Sequence, residues 1–381
     1  MSSGIQDSSY VRPTLLLVVL LVPLWAFVSC ASHSPQPTTQ AFAGTGNVAY
    51  RDWPRRLRQL QLISRDKWVG SDLRSLWRTD DGGRTWIEAY SPKPEVDVVE
   101  YIRGVSFPDS ELGFLIDRAK LHRTNNGGAT WTEIGPVQSG TEACAISECN
   151  YFHACYFVNS LHGWVVGLTR TQDSPVREPQ WIGVVLATTD GGLSWQRQRN
   201  DLPRDHPNKK TRWSLNSVYF RDENVGWIAG DGVIFWTADG GQTWNLSDIQ
   251  SRHSVGDIEH ISFLDRQYGW ATIRDRVEIL TTSDGGRTWV TLRGPTRYPG
   301  VSQHLVFVTP ERGFVVADRL YETTNGGKSW RQCSTEGCER GTYTHLAQAL
   351  DGTLMTFCFQ DGLRRTIIPT ESSTTCGSIS K

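Results

Sequence analysis

The sequence predicts an all-β fold, a seven-bladed β-propeller, from three observations. One pattern, T-x-D/N-G-G-x-S/T-W, occurs six times and ends at Trp86, Trp131, Trp195, Trp244, Trp289 and Trp330. These tryptophans are 45, 64, 49, 45 and 41 residues apart, the length of one four-stranded sheet and its connections, with insertions in the one long interval. Ahead of five copies stands a glycine-aromatic pair at one equivalent place: Gly113-Phe114, Gly163-Trp164, Gly226-Trp227, Gly269-Trp270 and Gly313-Phe314.

The elements follow in order. Leu15 to Val28 is an apolar run of 14 residues after Arg12, too short to span a bilayer and the size of a signal-peptide core. FVSC follows, ending at Cys30, and resembles a bacterial lipobox; lipidation at Cys30, ordinary cleavage and an uncleaved anchor are all open. Residues 1–30 are therefore expected to be an export signal, and 31–46, rich in Ser, Pro, Thr and Gln, a flexible linker. Residues 47–369 are expected to form the propeller and 370–381 a C-terminal tail.

Within a blade, Ser217 to Phe220, Gly226 to Ala229, Val233 to Thr237 and the residues from Trp244 onward read as four strands, rich in β-branched and aromatic residues between Gly and Asp turn signals. The flat aromatic of the glycine-aromatic pair is expected to pack between neighbouring sheets. The six repeated blades run from about Leu57 to Gln332. From Thr344 three more strand-like segments follow without the repeat. Asn47 to Tyr50 is expected to complete that last sheet, so that both termini share one blade and the ring has no free edge.

The repeat itself is expected to be structural. An Asp or Asn side chain accepts hydrogen bonds from backbone groups of its own turn, so Asn126 and Asn325 can stand where Asp81, Asp190, Asp239 and Asp284 stand. A general acid would not tolerate that exchange. Paired glycines supply positive backbone angles, the flanking hydroxyls bond across the turn, and each tryptophan starts the outer strand and packs against the next blade. The pattern resembles the Asp-box, or bacterial neuraminidase repeat. That resemblance places the box on the hairpin between third and fourth strands, away from the ligand face.

Recognition is then expected on the opposite face, which takes the longer loops: Thr132 to Ala154, Thr169 to Gln180, Arg204 to Trp213 and Leu292 to Gly300. The turns between second and third strands pair acids with arginines there: Asp72 with Arg74, Asp117 with Arg118, Asp275 with Arg274 and Arg276, and Asp318 with Arg319. One reading has Asp satisfying the turn beside a solvated Arg. The other gathers Arg74, Arg118, Arg274, Arg276 and Arg319, extended by Arg212, Trp213, Arg297 and Tyr298, into a grip for carboxylates or acidic peptide segments.

Composition narrows the function classes. Lys plus Arg is 39 against 40 for Asp plus Glu, which gives no global attraction to nucleic acid. Eight cysteines suit an oxidising compartment. Pairings within Cys144, Cys149 and Cys155, and between Cys333 and Cys338, follow from their proximity in sequence. No CxxC or paired-His spacing accompanies them, and no metal or cofactor is expected. The histidines His122, His162, His260 and His304 read as ordinary strand or turn residues. No HExxH, GxSxG or phosphate-loop motif is present, and no catalytic residue is assigned.

Over roughly residues 57 to 360 the repeated glycine-aromatic strand and TxDGGxTW turn most resemble the photosystem II assembly and stability factors and their relatives in non-photosynthetic bacteria. The resemblance implies a non-enzymatic, exported scaffold that binds a protein partner in an assembling membrane or envelope complex, partly through an arginine patch. Its compartment would be periplasmic or membrane-anchored, the membrane contact coming from an N-terminal lipid. The alternative is a sialidase-like glycoside hydrolase or glycan-binding propeller, although the RIP signature of sialidases is absent and only DWPRR at Asp52 approaches it.

Overall fold

The computed structural model describes residues 47–49, 57, 59–72, 74–92, 102–117, 120–136, 150–170, 181–198, 214–251, 253–295, 304–333, 342–359 and 363–368. All lie within the compact unit Pro37–Lys381. Every regular element among them is a β-strand, and none of them forms a helix long and apolar enough to cross a membrane.

Six sheets are antiparallel meanders of four consecutive strands, and they are numbered here as blades 1 to 6. Blade 1 comprises Gln59–Leu62, Trp68–Ser71, Leu76–Thr79 and Thr85–Tyr90. Blade 2 comprises Ile102–Ser106, Gly113–Asp117, Lys120–Thr124 and Thr132–Pro136. Blade 3 comprises Asn150–Phe157, Gly163–Arg170, Trp181–Thr188 and Gln196–Arg197. Blade 4 comprises Leu215–Phe220, Gly226–Gly230, Val233–Thr237 and Asn245–Leu246. Blade 5 comprises Ile258–Phe263, Gly269–Ile273, Glu278–Thr282 and Thr288–Arg293, and blade 6 His304–Phe307, Gly313–Val316, Leu320–Thr323 and Arg331–Cys333.

The expectation of seven blades closed by both termini is corrected. Six blades are complete, and Thr342–Gln348, Leu354–Phe359 and Leu363–Ile368 form a terminal sheet of three strands. Asn47–Ala49 does not join that sheet. It pairs antiparallel with the outer strand of blade 1, Val48 opposite Trp86, because the six-residue strand Thr85–Tyr90 presents an unpaired edge of backbone donors and acceptors. Blade 5 gains an outer strand in the same way: Asp248–Gln250 pairs parallel with Thr288–Val290.

Closure comes from side chains. The terminal sheet places Leu346, Leu354 and Ile368 against Phe314 and Val316 of blade 6, and Ala349, Met355 and Phe357 against Leu57, Trp68 and Trp86 of blade 1. Between blades 2 and 3, 3 and 4, 4 and 5, and 5 and 6 one motif repeats. The aromatic after the glycine lies flat on a phenylalanine ending the first strand of the next blade: Phe114 on Phe157 at 3.6 Å, Trp164 on Phe220 at 3.5 Å, Trp227 on Phe263 at 3.4 Å and Trp270 on Phe307 at 3.7 Å between centroids. The glycine is dictated by its own blade's phenylalanine, since a Cβ on Gly226 would stand 2.3 Å from the Phe220 ring. Blade 1 has Trp68 at the glycine place and Leu62 at the phenylalanine place. The large side chain fits there because the ring opposite is gone.

The box tryptophans pack in the direction opposite to the one expected. Trp131 joins Val69, Leu76 and Tyr90 of blade 1, Trp195 joins Phe114 and Leu121 of blade 2, and Trp289 joins Trp227 and Ile234 of blade 4. Each leans on the preceding sheet, because the paired glycines turn the chain back over it before the outer strand begins. Trp86, Trp131 and Trp289 are at most 1% exposed, whereas Trp244 and Trp330 are only half-buried.

Cys155 carries a free thiol buried against Phe152 and Val165, so its expected pairing with Cys144 or Cys149 is not formed. Cys333 is disulfide-bonded, and its expected partner Cys338 lies outside the described residues together with Cys30, Cys144 and Cys149.

Candidate partner-binding face

The two ends of the ring carry different chemistry. At one end are the six boxes, each a closed hydrogen-bond set. In blade 4 the Thr237 hydroxyl donates to Asp239 Oδ1 at 2.8 Å and accepts from Gly241 N at 2.9 Å. Thr243 N donates to Asp239 Oδ1 at 2.9 Å and its hydroxyl to Oδ2 at 2.6 Å. Gly240 and Gly241 have φ of 73° and 91°, the left-handed region only glycine enters without strain. In blades 2 and 6 the amide of Asn126 or Asn325 donates to the Thr130 or Ser329 hydroxyl instead, at 2.9 and 2.7 Å. A hydroxyl donates and accepts equally well, which is why acid and amide interchange. The first glycine of each box also donates to a carbonyl of the turn joining first and second strands, as Gly191 N does to Leu161 O at 2.9 Å.

At the other end lie the turns between second and third strands and the connections between blades. Asp72 and Asp318 serve their own turns, and Asp117 a neighbouring blade. Asp72 accepts from Arg74 N at 3.1 Å, Ser75 N at 2.9 Å and Trp77 Nε1 at 3.0 Å. Asp117 accepts from the Tyr90 hydroxyl at 2.7 Å, and Asp318 from the Tyr321 hydroxyl at 3.1 Å. Tyr90 also meets His122 Nε2 at 3.1 Å in a buried knot between blades 1 and 2, where burial, with Lys120 adding repulsion, holds the imidazole down at about 4. Asp275 is itself left-handed, with φ of 56°, and flares Arg274 and Arg276 outward on either side of it.

Of the arginines predicted for this face, Arg74, Arg274 and Arg276 are exposed and Arg319 is half-buried, on blades 1, 5 and 6. Arg274 is partly neutralised, with Nη1 2.8 Å from Asp257 and Nε 3.9 Å from Glu259. Burial raises the Asp257 carboxyl above its ordinary value, against the pull of Arg274. Arg276 lines a groove of about 440 Å³ with Gln250, His253, Ile273, Glu278 and Val290, bounded by the extra strand of blade 5. Arg118, Arg212, Trp213, Arg297 and Tyr298 lie outside the described residues.

Sequence reasoning missed a row of histidines on the inner strands. His260, His304 and His345 occupy one register position on the first strands of blade 5, blade 6 and the terminal sheet, opposite Thr272, Val316 and Phe357. Their rings are 6.1 and 4.8 Å apart. Burial lowers His345 to about 4 and His304 well below an ordinary imidazole, the latter also repelled by His345 and His260. The signal was in the sequence: HISF, HLVF and HLAQ end corresponding strands. No cluster able to hold a metal ion occurs among the described residues.

The family described as "Photosynthesis system II assembly factor YCF48" matches residues 144–252 and 209–362, together more than half of the chain. The Photosystem II assembly lipoprotein Ycf48 of Synechococcus sp. (strain CC9902) is 31% identical over 135 residues, 35% of this chain and 34% of that protein. The chloroplastic Photosystem II stability/assembly factor HCF136 of Arabidopsis thaliana is 28% identical over 109 residues, 28% of this chain and 25% of that protein. The matched segments thus span about a third or less of these relatives' lengths. A solved structure of YCF48 bound to D1 peptide superposes with a TM-score of 0.57 at 14% identity, covering 85% of this chain and 95% of that one, which shows the shared fold. These named relatives are assembly factors, not enzymes. With its six boxed blades and matched repeats, the chain belongs to the Photosynthesis system II assembly factor YCF48 family.

Proposed function

We propose that this protein is a non-enzymatic, exported propeller that binds a segment of a membrane-protein complex under assembly through the face opposite the boxes. The observation that carries the reading is the division of labour between the two ends. Box acids are consumed by their own turns, while arginines on turns of separate blades project from the other end beside a groove. Guanidinium groups on a rigid rim suit an acidic or carboxylate-bearing peptide. The relative solved with a D1 peptide supports a peptide partner. A leader over residues 1–30, a linker over 31–46 and a lipid on Cys30 complete the proposal; the relative named a lipoprotein supports the anchor. Arg118, Arg212, Trp213 and Arg297 belong to the same proposed face.

The test is binding of a labelled D1 peptide to the wild-type protein and to Arg276→Glu and Arg319→Glu. At least a tenfold loss is expected in each, steepening at low salt. Unchanged affinity in both variants refutes this face as the docking site. Turnover of a fluorogenic sialoside would replace the scaffold reading with the hydrolase.

A further inference from the structure

We propose that the boxed end of blades 2 and 3 is a second docking site, for a protein segment that carries a carboxylate beside a large aliphatic side chain. It goes beyond the reading above, since it lies at the end which the repeat would leave purely structural.

The hydrogen bond between box and neighbouring turn fixes which residues correspond. The carbonyl accepting from the first box glycine belongs to Asp66, Glu111, Leu161, Asn224, Gln267 and Glu311 in blades 1 to 6. The residue after the glycine pair is Arg84, Ala129, Leu193, Gln242, Arg287 and Lys328. The first position is acidic or amide, and the second is polar or alanine, in every blade except the third, where both are leucine. Leu161 is 50% exposed and Leu193 75% exposed. Neither contributes to a buried cluster, so folding gains little from them. A single exposed leucine needs no explanation, but two on adjoining turns, at positions where five other copies avoid large apolar side chains, make a local apolar anchor.

Charge marks the other half of the site. In blade 1, Arg78 precedes the box and is ion-paired with Asp80. The equivalent Arg123 of blade 2 meets Asn125 instead, Nε donating to Oδ1 at 3.1 Å, and the acid at the next position is replaced as well, by Asn126. Arg123 has no ion-pair partner among the described residues. Its guanidinium is held 6.0 Å above the Phe114 ring and reaches 3.8 Å from where a Cβ on Gly191 would stand, so it lies against the very turn that bears Leu193. A groove of about 460 Å³ opens there, lined by Arg123, Asn125, Asn126, Thr130, Thr132 and Ile134. A guanidinium with no ion-pair partner among the described residues suits a carboxylate, and the leucines beside it an aliphatic neighbour in the same segment.

The probe is a fluorescein-labelled peptide of alternating glutamate and leucine, with a serine-for-leucine and a lysine-for-glutamate peptide as controls, titrated by anisotropy. The glutamate-leucine peptide is expected to bind saturably, with affinity reduced on the order of tenfold by Leu193→Ser, by Arg123→Gln and in both control peptides. Arg276→Glu, on the opposite end, should leave this binding unchanged, so this site and the first can fail separately. Equal affinity for the three peptides, or binding indifferent to Leu193→Ser and Arg123→Gln, overturns the proposal. It is also overturned if Leu193→Ser abolishes self-association by light scattering, or sedimentation with anionic vesicles, while the peptide does not bind. The leucines then serve a second copy or a lipid surface.

Discussion

Replacing Asp239 by Ala and by Asn separates a structural box from a chemical one. Asp239 accepts three hydrogen bonds, from the Thr237 hydroxyl, Thr243 N and the Thr243 hydroxyl. At about 1 kcal/mol net for each partly solvated bond, Asp239→Ala costs about 3 kcal/mol, or about 5–10 °C in melting temperature. Asp239→Asn keeps the Oδ1 acceptor and can donate to the Thr243 hydroxyl, as Asn126 and Asn325 do in their own boxes, so it costs under about 1 kcal/mol. Burial alone would raise the Asp239 carboxyl, but bonds from the Thr243 side chain and backbone and from Thr237 hold it below the ordinary value. A depressed folded value stabilises above the unfolded value near 3.8 and loses that contribution as pH falls through the folded one. The advantage of Asp over Asn should therefore shrink in acid. Thermal melts at neutral and low pH give the energies, and hydrogen exchange at Thr243 and Gly241 gives the local effect. Equal losses in the two variants, or no loss in Asp239→Ala, would refute the account of the box as a hydrogen-bonded clasp.

Four further outcomes follow from the same geometry. Tyr90→Phe removes a buried bond to a carboxylate and should destabilise by about 1.5–3 kcal/mol in denaturant titrations. Gly226→Ala drives a methyl into the Phe220 ring and should cost about 1–3 kcal/mol or more by the same measurement. His122 and His345 are held at about 4 by burial against an unfolded value near 6.5, so the unfolded chain takes up protons first. Stability should be complete above pH 6.5 and decline between 6.5 and about 4, by up to about 3 kcal/mol for each histidine, and a His122→Gln variant should show a shallower decline in pH-dependent melts. Burial pushes the Cys155 thiol up to about 12, so it should resist a thiol reagent in the native protein and react on unfolding.

The repeat made most of the fold legible. Glycine pairs, box acids and flat aromatics are local necessities, and the strands of blade 4 lie within two residues of where turn signals placed them. What failed was what a single repeat does not encode. Val48 pairs with the edge of blade 1 through backbone groups that any sequence possesses, and the backward lean of the tryptophans depends on how the hairpin is carried across a neighbour. The histidine row escaped because each histidine is unremarkable alone, and only stacking the inner strands in register brings His260, His304 and His345 together. For the arginines, the sequence located the turns but not their bonds, so the engagement of Arg274 by Asp257 appeared only in three dimensions.

The backward lean of the tryptophans also sets an order of events. A chain synthesised amino end first can seat Trp131, Trp195, Trp244, Trp289 and Trp330 one after another, because the surface each needs has already emerged. Among the box tryptophans, Trp86 is the one that faces Met355 and Phe357, which arrive last. The first box indole to appear is thus the final one to be covered, and until then the newborn ring stays an open arc with its first sheet waiting for its last.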